Sequence, residues 1–125
     1  MRKFAILFFV LQGAAATGWW AIILRFPRVR GLFLPFGVPD AVLLSLLGGD
    51  LFLYIGGSFL SAYGLARQRP WTWPIICVHA GAAAYAALYA LLLSILLPCC
   101  RLGAILMMPS LAIPLYLSCR LRPKN

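Results

Sequence analysis

Acidic residues are almost absent from this chain. Its 125 residues include two, Asp40 and Asp50, against 11 Lys and Arg, and all charged residues together make up 10%. A soluble domain of this size needs far more charge to cover its surface, so that class is excluded. Paired-carboxylate catalysis is excluded as well, because positions 40 and 50 lie roughly 15 Å apart along a straight helix. Histidine occurs once, at His79. A lone histidine with no second axial ligand makes a poor haem site. The sequence contains no HExxH, GxSxG or glycine-rich phosphate loop. The four cysteines lack the CxxC spacing of zinc sites and thioredoxin-type redox pairs: Cys99 and Cys100 are adjacent, and Cys77 and Cys119 are expected near the opposite face, where a cytosolic disulfide is disfavoured. No metal, no cofactor and no catalytic residue is expected. Period-2 alternation is also missing, which argues against strands.

What the chain has instead is apolar length. Hydrophobic residues make up 64% of it and the mean hydropathy is +0.97. They fall into four blocks, Phe4–Leu24, Ala41–Ala66, Ile75–Leu97 and Leu102–Cys119. About 20 helical residues cross a hydrocarbon core of about 30 Å. Backbone groups in lipid must be satisfied within helices or closed barrels. The expected fold is therefore all-α: a polytopic integral membrane protein, one domain over residues 1–125, built as a four-transmembrane-helix bundle. Pro109 and Pro114 interrupt the fourth block, so that helix is expected to be kinked. Met1-Arg2-Lys3 and Ala14-Ala15-Ala16 imitate a cleavable signal, but the apolar run continues through Trp19 and Trp20 to Leu24, which favours an uncleaved first span.

The basic residues set the expected orientation. Arg2, Lys3, Arg67, Arg69, Arg120, Arg122 and Lys124 belong to the two ends and the second loop, whereas Arg25, Arg28, Arg30 and Arg101 belong to the other two loops. The positive-inside rule then places both termini in the cytoplasm, with a bacterial inner (plasma) membrane as the expected location. A net charge of +9 does not imply nucleic acid, because the cations sit at span ends rather than in a stripe. Anionic lipids are the simpler partner. The interfacial loop over residues 25–40 interleaves Arg25, Arg28 and Arg30 with aromatic and aliphatic residues, as an anchor in the headgroup region does. The same three arginines are candidate lipid-phosphate contacts, since guanidinium forks match phosphate. Asp40, after Pro39, is expected to cap the second span. Trp71 and Trp73, with Trp19 and Trp20 at the opposite level, are expected to form interfacial belts.

Small residues crowd the second and third spans, from Gly48 to Gly64 and from Gly81 to Ala90, which lets helices approach closely in lipid. A tight antiparallel hairpin is expected around the second loop. Asp50 is the residue of greatest interest, because an ionisable group within a span costs at least about 2.5–3.5 kcal/mol and marks a functional site by default. If the hairpin turns between Pro70 and Trp71, Asp50 is level with Leu91 and His79 with Ala62, an offset of roughly 18 Å. A direct Asp50–His79 relay is then out of reach. The expected mid-membrane polar site is Asp50 with Gln12, Tyr54 and Tyr89, joined by Thr17 and Ser110 if their helices turn that way. A separate inner-side polar site would contain His79 and Ser61.

Size and span number suit the small multidrug transporters and the dimeric fluoride channels, and Gly56-Gly57-Ser58-Phe59-Leu60 resembles a glycine-rich stretch of the latter. The first-span glutamate of the former and the Thr- and Phe-rich third span of the latter are missing, so no residue role is carried over from either. The expected function is a proton- or cation-linked small transporter or channel-like protein, not an enzyme, acting as a homo-oligomer. The alternatives are a non-catalytic subunit or assembly factor of a larger membrane complex and, more weakly, a lipid-headgroup-binding protein.

Overall fold

A computed structural model describes residues 1–34, 36–97 and 101–123. Cys99, Cys100 and Lys124 lie outside the described residues. Among the described residues the chain is all-helical, without strands. Four of its helices are long and apolar enough to cross a membrane: α1 (Arg2–Arg25), α3 (Asp40–Arg67), α4 (Thr72–Leu96) and α5 (Arg101–Arg120), of 24, 28, 25 and 20 residues. A single short turn of helix, α2 (Pro27–Arg30), follows α1. Each long helix overruns its apolar block by one to three residues at the N-terminal end, because flanking polar residues continue the helical backbone.

Proline and local backbone geometry set the helix ends. Phe26 precedes Pro27 and takes φ −123°, ψ 86°, which ends α1. Pro27 then opens α2, where its missing N–H costs nothing. Leu97, which precedes Pro98, is likewise extended and ends α4. Between α3 and α4 the chain reverses at Gln68, the one described non-glycine residue with positive φ, at φ 52° and ψ 44°. Pro74 falls in the first turn of α4, and Pro109 and Pro114 lie within α5.

The α3–α4 hairpin turns about Gln68, not between Pro70 and Trp71. Gly64 abuts Thr72, and a Cβ on Gly57 would stand 2.9 Å from His79 Nδ1, so both close approaches are symmetric about residue 68. α4 starts sooner after the turn than its prolines and tryptophans imply, which slides it along α3. His79 is therefore level with Gly57 and not with Ala62. Its offset from the Asp50 level is seven residues, roughly 10 Å of helical rise rather than 18 Å.

α3 changes pitch where the polar residues begin. Asp50–Gly56 forms a π-helical segment within it. Such widened turns recur at functional sites because they release a backbone carbonyl from the α-helical ladder. Two apolar clusters lie on either side of this level. One joins Ala5 and Phe9 of α1, Ala62 and Leu65 of α3, Ile76 of α4 and Leu117 of α5. The other joins Trp20 and Ile23 of α1 to Leu43 and Ile55 of α3.

Candidate functional site

The face of α3 that meets α1 and α4 carries Asp50, Tyr54, Ser58 and Ser61. Steps of four, four and three residues keep all four on one side of a helix. α1 supplies Gln12 and Trp20 from the opposing side, and α4 supplies His79. Gln12, Ser58, Ser61 and His79 are buried, the last three completely.

Two polar groupings result. In the first, Trp20 Nε1 donates to Asp50 Oδ2 at 2.9 Å. Oδ1 has no hydrogen-bond partner among the described residues. In the second, Gln12 Nε2 donates to the Tyr54 hydroxyl at 2.9 Å, and Gln12 Oε1 lies 3.4 Å from His79 Nε2. Ser58 Oγ lies 3.5 Å from that same nitrogen. On the other side of the ring, His79 Nδ1 is 3.1 Å from the Leu53 carbonyl oxygen. The π-helical segment exposes this carbonyl: the Gly57 N–H turns to Tyr54 O instead of Leu53 O, its α-helical acceptor. Phe9 and Tyr54 pack on the imidazole with ring centroids 5.6 and 5.4 Å away.

A cavity of about 300 Å³ connects the two groupings. Its polar lining is Gln12 and Trp20 from α1, Asp50 and Tyr54 from α3, and Ser110 from α5. Trp19, Phe33 and Met107 add apolar surface to its walls. The cavity thus sits between three long helices, toward the end where α1 leaves and α3 enters.

The expected polar layer divides unevenly over this geometry. Asp50, Gln12, Tyr54 and Ser110 come together around the cavity. Tyr89 does not join them: it is 48% exposed on the outer face of α4, because the hairpin register brings Ala86, not Leu91, to the Asp50 level. Thr17 bonds back to Gly13 O at 2.8 Å within α1. His79 meets Ser58 rather than Ser61, and it joins Gln12 and Tyr54 instead of forming a separate site. Ser61 Oγ is buried with no hydrogen-bond partner among the described residues.

Trp20 is the site residue that sequence reasoning placed elsewhere. It is no interfacial belt residue but 3% exposed, held against Trp19 and bonded to Asp50. A buried indole N–H needs an acceptor, and with two acids in the chain that requirement was the available clue.

The loop arginines also differ from one another. Arg30 pairs with Asp40 at 2.7 Å, and its guanidinium donates to the Ile23 and Leu24 carbonyl oxygens at 2.9 and 3.5 Å. It closes the C-terminal end of α1 and is engaged within the chain. Asp40 makes no capping bond: Pro39 holds the N-cap position and the Asp40 carboxylate faces Arg30. Arg25, over the Phe26 ring at 5.9 Å, and Arg28 remain exposed. Among the described residues no cluster of three or more His, Cys, Asp or Glu side chains is arranged to hold a metal ion.

No protein-family model matches this chain, and no curated protein or solved structure matches it. The functional reading therefore rests on the site alone.

Proposed function

We propose that this chain is an integral membrane protein of the transporter or channel-like class, and that the cavity at Asp50 takes up the proton or cation it moves. The observation that carries this reading is the cavity itself. It sets Asp50, the acid inside an apolar helix rather than at its end, beside two hydroxyls and an amide, with one carboxylate oxygen unpaired among the described residues. Intramembrane acids lining a cavity mark ion and proton pathways. Four helices of sufficient length and apolarity fit this setting. Both termini are proposed to be cytoplasmic, in a bacterial inner membrane, and the two prolines of α5 are proposed to bend it.

A second copy is part of the proposal. Tyr85 and Tyr89, one turn apart near the middle of α4, are 76% and 48% exposed. A phenol facing hydrocarbon lacks a hydrogen-bond partner. Gly81, on the turn before them, has nothing within 4 Å of where its Cβ would stand. That face suits close approach of another helix, and a homo-oligomer supplies partners for both hydroxyls.

The test is ion flux in proteoliposomes. Purified wild-type protein should dissipate an imposed proton, Na⁺ or K⁺ gradient, and Asp50→Asn should abolish the dissipation while leaving reconstitution unchanged. Wild-type vesicles as tight as empty ones for all three ions would end the transporter reading. In that case the subunit or assembly-factor role takes its place.

A further inference from the structure

Resting on the proposed ion-translocating cavity, we infer that it binds a small primary amine in its protonated form, with the ammonium group on Asp50 and an apolar body against Trp19 and Phe33. Three features of the cavity identify this ligand: a missing counter-charge, a short supply of oxygens and aromatic walls.

The charge comes first. A carboxylate held away from water needs an opposite charge beside it. Asp50 has none within the chain. No lysine, arginine or histidine lines the cavity, and the one ion pair among the described residues joins Arg30 to Asp40. Trp20 Nε1 gives Oδ2 a neutral donor and leaves Oδ1 without a partner among the described residues. Oδ1 is nevertheless open. Among the described residues, the one sealed side-chain polar atom without a partner is Ser61 Oγ. The counter-charge therefore comes from outside, and one carboxylate balances one unit of it. The same count disfavours an amino acid, whose own carboxylate would meet no cationic group in the cavity.

The oxygens narrow the ligand further. Gln12 contributes none to the cavity, because its Nε2 donates to the Tyr54 hydroxyl and its Oε1 is turned to His79. The side-chain oxygens left are Asp50 Oδ1 and the hydroxyls of Tyr54 and Ser110. Hard metal cations take about six oxygens or more, so such an ion would have to keep much of its water here. An ammonium group at the end of an alkyl chain has three hydrogens to donate and no acceptor. Its donors match these oxygens one for one. A quaternary ammonium has no hydrogen to give and leaves all of them unmet.

The remaining walls suit an apolar body. Trp19 and Phe33 meet with ring centroids 5.3 Å apart and planes at 88°. A Cβ on Gly103 would stand 4.0 Å from Phe33 Cδ1, so Phe33 bridges α1 and α5. A cation within about 6 Å of an aromatic face is attracted to it, and Trp19, Trp20, Phe33 and Tyr54 all line the cavity. Its volume of about 300 Å³ is at the lower end of those that hold organic ligands, roughly 300–1,000 Å³. A single ring or a short alkyl chain is the body that fits. An alkali ion would leave these walls without a partner.

The experiment is calorimetric titration of purified full-length protein in detergent at about pH 7.5, where a primary alkylamine, like the lysine side chain, is protonated. The probes are phenethylamine, its trimethylammonium analogue, phenethyl alcohol and phenylalanine. Phenethylamine should bind saturably, one molecule per chain. The other three should each bind at least roughly tenfold more weakly, as loss of a charged hydrogen-bonding group implies. Asp50→Asn should lose phenethylamine binding. Phe33→Ala should weaken phenethylamine roughly 2–10-fold, as loss of an aromatic contact does, and leave ethylamine unchanged.

Affinity for the trimethylammonium analogue or the alcohol equal to that for phenethylamine overturns the inference. So does binding unchanged in Asp50→Asn. The comparison among ligands needs no variant, so it decides even where Asp50→Asn fails to fold. A wild type that shows Asp50-dependent ion flux in the absence of amine but binds no phenethylamine overturns the amine site and leaves the transporter reading intact. Phenethylamine binding as described without flux of any ion keeps the site and removes the transporter reading. Absence of both removes the two together.

Discussion

Gly57→Ala is a direct test of the α3–α4 register. A Cβ at this position would stand 2.9 Å from His79 Nδ1, 3.2 Å from its Cβ and 3.3 Å from its Cγ, all inside ordinary van der Waals contact. The imidazole has nowhere to move. It is fully buried, Phe9 and Tyr54 pack against it, and Nδ1 is tied to Leu53 O. Relief must come from separating α3 and α4. Overpacking of this kind costs about 1–3 kcal/mol, and loss of the Leu53 bond adds about 1 kcal/mol. Against this, Gly to Ala within a helix gains up to about 1 kcal/mol. Gly18→Ala in α1 shares that gain and meets nothing within 4 Å. The difference between the two variants therefore isolates the clash and the lost bond, at about 2–4 kcal/mol. Reversible unfolding in mixed micelles, followed by circular dichroism, measures both. If Gly57→Ala falls within about 0.5 kcal/mol of Gly18→Ala, below what overpacking costs, the Gly57–His79 contact and the register built on it are wrong.

Two other predictions use the same assay. Trp20→Phe should cost about 1–3 kcal/mol by leaving a partly buried acceptor on Asp50 without its donor, and most of that loss should vanish in an Asp50→Leu background; strict additivity of the two changes would refute the Trp20–Asp50 bond. Arg30→Ala should destabilise more than Asp40→Asn, because Arg30 also holds the Ile23 and Leu24 carbonyls while Asp40 is half-exposed. Asp40→Asn is expected to cost under about 1 kcal/mol, as exposed ion pairs do, and equal costs would show that the carbonyl contacts contribute nothing.

Helix number and extent were legible in the sequence because they depend on local quantities. Apolar length, flanking charge and prolines at positions 27, 39, 74 and 98 place every long helix within three residues of its end. The company of each polar residue was not legible, because it depends on how two helices slide and turn. Tyr89 and His79 show this. The loop from Arg67 to Pro74 looks symmetric about Pro70 and Trp71, yet the reversal uses a left-handed Gln68, a residue with no strong preference for that conformation. A shift of about two and a half residues in the turn centre moves every cross-helix pairing by five. That moved Tyr89 away from Asp50 and brought His79 to Gln12. Trp20 was misplaced for a related reason: its position near a helix end implied an interface, and only the folded loop, with Phe33 against Trp19, covers that end.

The buried polar groups are hard to account for as packing alone. The Gly and Ala of α3 and α4 already let the helices approach, and a buried hydrogen-bonded pair replaced by apolar groups of the same shape is commonly neutral or stabilising. Gln12, Tyr54, His79 and Ser58 nevertheless meet at one level, with contacts to His79 Nε2 of 3.4 and 3.5 Å, long for hydrogen bonds. A network selected for rigidity would be expected to close those distances. The π-helical turn bears on the same point: it leaves the ladder imperfect where a carbonyl is needed to fix one side of the imidazole. The ring is thus held at Nδ1 by a freed carbonyl and at longer range at Nε2 by Gln12 and Ser58, so the polar groups of three helices converge beside the Asp50 cavity.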